Sequence, residues 1–123
     1  MATFANLEVW EKSVDLVASV YKITKTFPKE ELYTLTSQIR RAAISIPSNI
    51  SEGRAKRSTK DFMRFIAMAS GSAAELETQI VIGERLGYIN SEQKGILLNE
   101  IGSIARMLNK LYASLEAKSA NNP

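Results

Sequence analysis

SQIRRAAISIPSNISEGRAKRSTKDFMR, the stretch from Ser37 to Arg64, decides the fold of this 123-residue chain. Apolar residues at helical spacing enter the stretch and continue past a proline. They are Leu35, Ile39, Ala42, Ile46 and Ile50. Because the spacing continues, we expect Pro47 to kink this helix rather than end it. Gly53 is predicted to end the helix as a C-cap glycine, and Ser58 with Asp61 has the form of a capping box that begins the next helix.

The same spacing extends outward on both sides and predicts four helices. They cover about residues 7–26, 34–52, 59–86 and 91–117. The expected N-caps are Asn6, Thr34 and Ser91, Gly87 should end the third helix, and the tail from Lys118 should fray. Short connections make successive helices antiparallel neighbours. We therefore predict an all-α fold, in which residues 1–123 form one antiparallel up-down-up-down four-helix bundle.

The first and last helices carry more apolar residues than one core seam requires. The first helix has two apolar lines. The first line is Trp10, Val14, Val17 and Tyr21, and the second line is Val9, Leu16, Val20, Ile23 and Phe27. The last helix has a heptad line, Leu97, Ile101, Ile104, Leu108, Leu111, Leu115, flanked by Leu98, Ala105 and Tyr112. These surplus lines indicate either deeply buried helices or contacts with another subunit of a cyclic homo-oligomer.

Residue types absent from the sequence remove several classes of function. The chain contains no cysteine and no histidine, which excludes nucleophilic cysteines and Ser-His-Asp triads and argues against structural zinc. The acids are not clustered, so we predict no metal site, no cofactor and no enzymatic activity. No apolar run reaches the roughly 18 residues that span a bilayer, and no signal peptide is recognisable. The expected class is a cytoplasmic protein without a membrane partner.

The strongest charge imbalance lies within the opening stretch. Its basic residues outnumber its acids seven to two, whereas the whole chain has a net charge of only +3. The basic residues are Arg40, Arg41, Arg54, Lys56, Arg57, Lys60 and Arg64. Such a cluster can neutralise phosphates without reading a base sequence. The one aromatic residue among these cations, Phe62, belongs to the predicted core line of the third helix, so base stacking is not indicated. The alternative is a solvated charged corner or a set of intersubunit salt bridges.

Asn49 and Glu52 are the second candidate site. They lie one helical turn apart, beside the expected kink at Pro47. A polar network that ties the kink or the following connection accounts for both residues. The alternative is direct contact with a ligand.

Five motifs spread along the chain resemble one known family. They are Leu7-Glu8-Val9-Trp10, Phe27-Pro28, Leu35 to Ala42, Ser45 to Gly53, and Phe65 to Glu77. They resemble the four-helix-bundle proteins encoded in intervening sequences of bacterial 23S ribosomal RNA genes. The resemblance implies a ring-shaped homopentamer. One branch of the family is similar to the accessory variability determinant of diversity-generating retroelements, which binds reverse transcriptase and nucleic acid. The remaining members have no established biochemical activity.

Together these features lead to one functional hypothesis and one alternative. We expect a non-enzymatic oligomeric scaffold that binds the RNA or DNA backbone through the seven basic residues. The alternative is a protein-binding adaptor without a nucleic-acid role, for which the resemblance implies a partner such as a reverse transcriptase.

Overall fold

Helical apolar spacing produces helices along most of residues 4–121, the part of the chain that this computed structural model describes. The four α-helices are α1 (Phe4–Thr24), α2 (Leu35–Arg54), α3 (Thr59–Arg85) and α4 (Ser91–Asn121). A single 3-10 turn, Lys29–Glu31, lies between α1 and α2. No strand occurs within these residues, which confirms the all-α prediction. None of the described helices combines the length and hydropathy needed to cross a membrane.

The helices close into a four-helix bundle around one apolar core. Each helix packs against the next in the chain, and α4 packs back against α1. All six residues of the predicted heptad line on α4, from Leu97 to Leu115, are buried. On α2, Ile39, Ala42, Ile46 and Ile50 are buried as predicted. The core therefore follows the apolar lines read from the sequence.

The two apolar lines of α1 have different surroundings. Val9, Leu16 and Val20 of the second line are buried in the core. In the first line, Val14 and Tyr21 are 39% and 37% exposed. The first line thus leaves a partly exposed apolar strip on the surface of the bundle.

Several predicted helix starts are wrong by a few residues. Asn6 is not an N-cap, because α1 already includes Phe4 and Asn6 lies buried inside the helix. Thr34 does occupy the N-cap of α2, but its hydroxyl donates to the carboxylate of Glu31 at 2.6 Å instead of accepting from the backbone. The preceding 3-10 turn places that carboxylate within reach, which the sequence pattern did not show.

The start of α4 is capped by Asn90, one residue before the predicted Ser91. The amide of Gln93 donates to Asn90 Oδ1 at 2.7 Å, and Gln93 Oε1 accepts from the amide of Asn90 at 3.0 Å. This reciprocal pair is a capping box. Ser91 instead donates to Glu84 at 3.1 Å. At its other end α4 continues to Asn121, so the tail from Lys118 does not fray where predicted.

Both ends of α3 agree closely with the prediction. The amide of Asp61 donates to Ser58 Oγ at 3.2 Å, which confirms Ser58 as the N-cap. At the C-terminal end, Gly87 has a φ of +82°. The amide of Tyr88 donates to the carbonyl of Gly83 at 2.9 Å, as in a Schellman motif. Gly87 therefore ends α3 as expected.

Gly53 does not end α2, so its predicted role is wrong. The helix continues through Pro47 to Arg54, and Gly53 is buried within it. A Cβ atom at Gly53 would lie 2.8 Å from Phe62 Cδ1 and 2.9 Å from Phe65 Cβ. The missing side chain lets the start of α3 approach α2 closely.

Replacing Gly53 by alanine tests this close approach. Gly53→Ala should destabilise the protein by about 1–3 kcal/mol, because the added methyl group overpacks the contact with α3. Gly71→Ala is the matched control, since a Cβ at Gly71 meets no atom within 4 Å. This control should instead stabilise the protein by about 1 kcal/mol through helix propensity. Urea unfolding of both variants measures the difference, and a stabilised Gly53→Ala protein would contradict the packing argument.

Candidate nucleic-acid interface

The turn between α2 and α3 gathers five basic residues at one end of the bundle. We call them the basic elbow, and they are Arg54, Lys56, Arg57, Lys60 and Arg64. Because α2 continues to Arg54 and α3 begins at Thr59, the connection is short and both helix ends contribute cations. Arg54 is half-buried, whereas the other four are exposed to solvent.

Arg40 does not belong to this cluster. It precedes Arg54 by fourteen residues on α2, which is about 21 Å along a helix. Its guanidinium lies 4.5 Å from the centroid of the Tyr21 ring, and its Nε donates to Thr24 Oγ1 at 2.9 Å. Arg40 thus fastens α2 to the end of α1. The prediction of one seven-residue cluster is wrong. Arg40 belongs to the same basic stretch of sequence, but the rise of the helix separates it from the elbow in space.

Arg41 also lies away from the elbow. It is exposed and lines a shallow groove between α2 and α3, together with Glu75 and Gln79. The adjacent carboxylate of Glu75 reduces the positive potential at this position. Arg41 therefore offers a separate and less positive surface.

An aromatic ring supports two cations of the elbow. Lys56 Nζ lies 5.3 Å and Arg64 Cζ lies 4.7 Å from the centroid of the buried Phe65 ring. Such cation–π contacts position a charge without neutralising it. Arg64 also lies 3.8 Å from Asp61, but both side chains are largely exposed and the pair contributes little. The sequence spacing did not reveal this role of Phe65, because Lys56 approaches it from the preceding turn.

The basic elbow continues into a cavity at the same end of the bundle. The cavity has a volume of about 600 Å³ and is formed by α1, the elbow, the start of α3 and α4. Its basic lining residues are Lys12, Lys56, Arg57, Lys110 and Lys118. Sequence reasoning missed three of these lysines because they stand alone on α1 and α4. The up-down topology was the available signal, since it returns the start of α1 and the end of α4 to the elbow.

The opposite end of the bundle holds acids that are paired locally. Hydrogen bonds from Thr34 and then Tyr88 lower the pKa of the Glu31 carboxyl. A hydrogen bond from Lys94, followed by one from Ser91, lowers the pKa of Glu84. These carboxylates hold the connections together at that end.

Asn49 and Glu52 do not act together in the structure. The side-chain amide of Asn49 donates to the backbone carbonyl of Ser45 at 2.8 Å and to the Ser45 hydroxyl at 2.9 Å. The Ser45 hydroxyl lies 2.8 Å from that of Ser72 on α3. Glu52 is exposed and lines a groove beside Trp10 instead. Asn49 thus supports the α2–α3 contact, and Glu52 faces solvent between α1 and α2. Across residues 4–121, no three or more acids lie close enough to hold a metal ion.

The Asn49 network can be tested by its effect on stability. Asn49→Ala should lower the free energy of unfolding by about 1 kcal/mol, because it removes the hydrogen bonds to Ser45. Glu52→Ala, one turn further along the same helix, should change it by less than about 0.5 kcal/mol. Urea titrations of both variants provide the measurement. Equal effects of the two substitutions would show that the network is not a support for α2.

Comparisons with known proteins agree on one family. The sequence matches the family model described as 23S rRNA-intervening sequence protein over residues 5–110. A similar solved structure is that of a protein of unknown function from the S23 ribosomal protein family of Bacteroides thetaiotaomicron. The two chains are 25% identical, and the alignment covers 89% of this chain and 99% of that one with a TM-score of 0.83. No curated protein matches the chain.

Proposed function

This chain belongs to the 23S rRNA-intervening sequence protein family, and we propose that it is a non-enzymatic, oligomeric scaffold that binds the RNA or DNA backbone. The basic elbow would make the contact. The observation that carries this proposal is the exposure of Lys56, Arg57, Lys60 and Arg64 at one end of the bundle. Of these four, only Arg64 forms a salt bridge within residues 4–121, at 3.8 Å to Asp61. With RNA or DNA as its partner, the protein would act in the cytoplasm.

Phosphate groups suit the elbow better than base edges do. Lysine and arginine side chains on an exposed turn can reach successive phosphates and release their counterions. Contacts of this kind position a strand but carry no sequence information. The ring of Phe65 is buried beneath Lys56 and Arg64, so it supports the cations rather than stacking on a base. The proposed binding is therefore electrostatic and independent of base sequence.

Self-association would multiply the number of elbows in contact with one strand. The exposed strip on α1 supports this part of the proposal, since Leu7, Val14 and Tyr21 are each more than one third exposed. A shallow groove beside it is lined by Trp10, Val14 and Pro47, among others. An apolar strip next to a groove suits the surface of a second copy. In a ring of five, as the family resemblance implies, several weak sites would act together.

Binding through the elbow should be steeply salt-dependent. The double change Arg57→Gln with Lys60→Gln should weaken retention of single-stranded RNA at low salt. It should also reduce the slope of log affinity against log salt by about 1.4 for two phosphate contacts. The control is the double change Arg41→Gln with Lys29→Gln, which removes the same amount of charge away from the elbow. It should leave the slope nearly unchanged. Filter binding from low to moderate salt provides the measurement.

Two results would overturn the nucleic-acid role. One is an equal loss in both double variants, which would indicate a general charge effect. The other is retention of RNA and DNA at low salt after Arg54, Arg57 and Arg64 are all changed to glutamate. The protein-binding adaptor, with a partner such as a reverse transcriptase, would then be the better hypothesis.

The α1 strip should control self-association. Light scattering at micromolar concentration should give a mass several times the 13.6 kDa of one chain. Val14→Glu should reduce this mass to that of a monomer, because it places a charge in the apolar contact. Ile96→Glu changes an exposed apolar residue on α4, away from the strip, and should leave the mass unchanged. A monomeric parent protein would contradict the oligomeric part of the proposal.

A further inference from the structure

The cavity beside the basic elbow has features that backbone binding does not require. Its volume of about 600 Å³ falls within the range of pockets for small ligands. Its apolar floor contains Phe62, Leu111 and Leu115, which are each less than one tenth exposed, and Met107. A sugar-phosphate backbone presents little apolar surface to such a floor. The cavity therefore suits a ligand with an apolar or aromatic body as well as an anionic group.

The cations around the cavity are the reason to expect an anionic group on the ligand. Lys12 comes from α1, Lys56 and Arg57 from the turn, and Lys110 from α4, so cations from three parts of the fold converge. Glu8 is the only acid among the described lining residues. Within residues 4–121, Lys12, Arg57 and Lys110 form no salt bridge. A bound anion would pair with cations that the fold leaves without ion pairs.

The start of α3 opens onto the same cavity. Ser58 and Thr59 line it, and Ser58 is the N-cap of this long helix. The helix dipole adds a partial positive charge at its N-terminus, where phosphate groups commonly bind. A phosphomonoester carries between −1.5 and −2 charges near neutral pH, so it would gain more from this field than a singly charged diester does.

We propose that this cavity binds a nucleoside 5′-phosphate, with the phosphate among Lys56, Arg57 and Lys110 and the base on the apolar floor. The ligand is either a free mononucleotide or the 5′-phosphorylated end of an RNA or DNA strand. This inference goes beyond the proposed function, because it uses α4 and the cavity floor, which backbone binding does not need. It shares only Lys56 and Arg57 with the basic elbow.

Calorimetric titration of the full chain with adenosine 5′-monophosphate tests the proposal. The nucleotide should bind at least tenfold more tightly than adenosine and at least tenfold more tightly than inorganic phosphate. Lys110→Gln should weaken it about tenfold by removing a cation. Ser114→Trp should block it by filling the mouth of the cavity while every charge is kept. Lys29→Gln, which removes an exposed cation at the other end of the bundle, should leave nucleotide binding unchanged.

The source of the phosphate is settled by oligonucleotides with and without a 5′-phosphate. At least tenfold tighter binding of the phosphorylated strand, with competition by the mononucleotide, would identify a strand end. Equal binding of both strands, with the mononucleotide still bound, would identify a free nucleotide.

The inference is wrong if the mononucleotide shows no binding at millimolar concentration. It is also wrong if inorganic phosphate binds equally well, or if Lys110→Gln and Ser114→Trp both leave the affinity unchanged. Failure of the proposed function looks different. In that case the salt-dependent retention of long RNA disappears or ignores the elbow substitutions, whereas the mononucleotide titration is unaffected. The two proposals therefore fail separately.

Discussion

The close approach of α2 and α3 at Gly53 is the constraint on which the functional end of the bundle depends. A Cβ atom at this position would lie 2.8 Å from Phe62 and 2.9 Å from Phe65. Because the helices can approach here, Phe65 lies beneath Lys56 and Arg64. Phe62 at the same contact forms part of the cavity floor. The missing Cβ atom thus lets both phenylalanine rings lie at the α2–α3 contact, one beneath the elbow and one in the cavity floor.

The up-down topology then brings cations from distant parts of the sequence to one end of the bundle. It returns the start of α1 and the end of α4 to the elbow, where Lys12 and Lys110 join cations that are distant in sequence. At the other end, Glu31 accepts from Thr34 and Tyr88, so its charge is held within the fold. A net charge of only +3 therefore conceals a local concentration of cations beside the elbow. An anionic partner would be drawn toward one end, which whole-chain composition does not indicate.

Sequence reasoning predicted the parts of the fold that depend on periodicity. The heptad line of α4 and the apolar line of α2 are buried because burial follows directly from spacing. It failed where one residue type serves two purposes. Glycine at position 53 suits a helix end and a close helix contact equally well, and only the packing of α3 distinguishes them. The prediction of a single cation cluster failed for a related reason. Arg40 lies in the basic stretch of the sequence, but its side chain contacts Tyr21 on another helix. Lys110 lies at the cavity beside the elbow because the up-down topology returns the end of α4 there, which no local sequence pattern indicates.

The contacts of individual cations distinguish those that hold helices together from those that do not. Arg40 is half-buried, bonds to Thr24 and lies against Tyr21, so packing explains its presence. Arg57 and Lys60 are exposed and make no hydrogen bond or ion pair within residues 4–121, so no contact of this kind ties them to the fold. The fold itself persists in a structure that is only 25% identical, because it depends on apolar spacing. Substitutions at these exposed cations should therefore cost the bundle less stability than a substitution at Arg40, which holds two helices together.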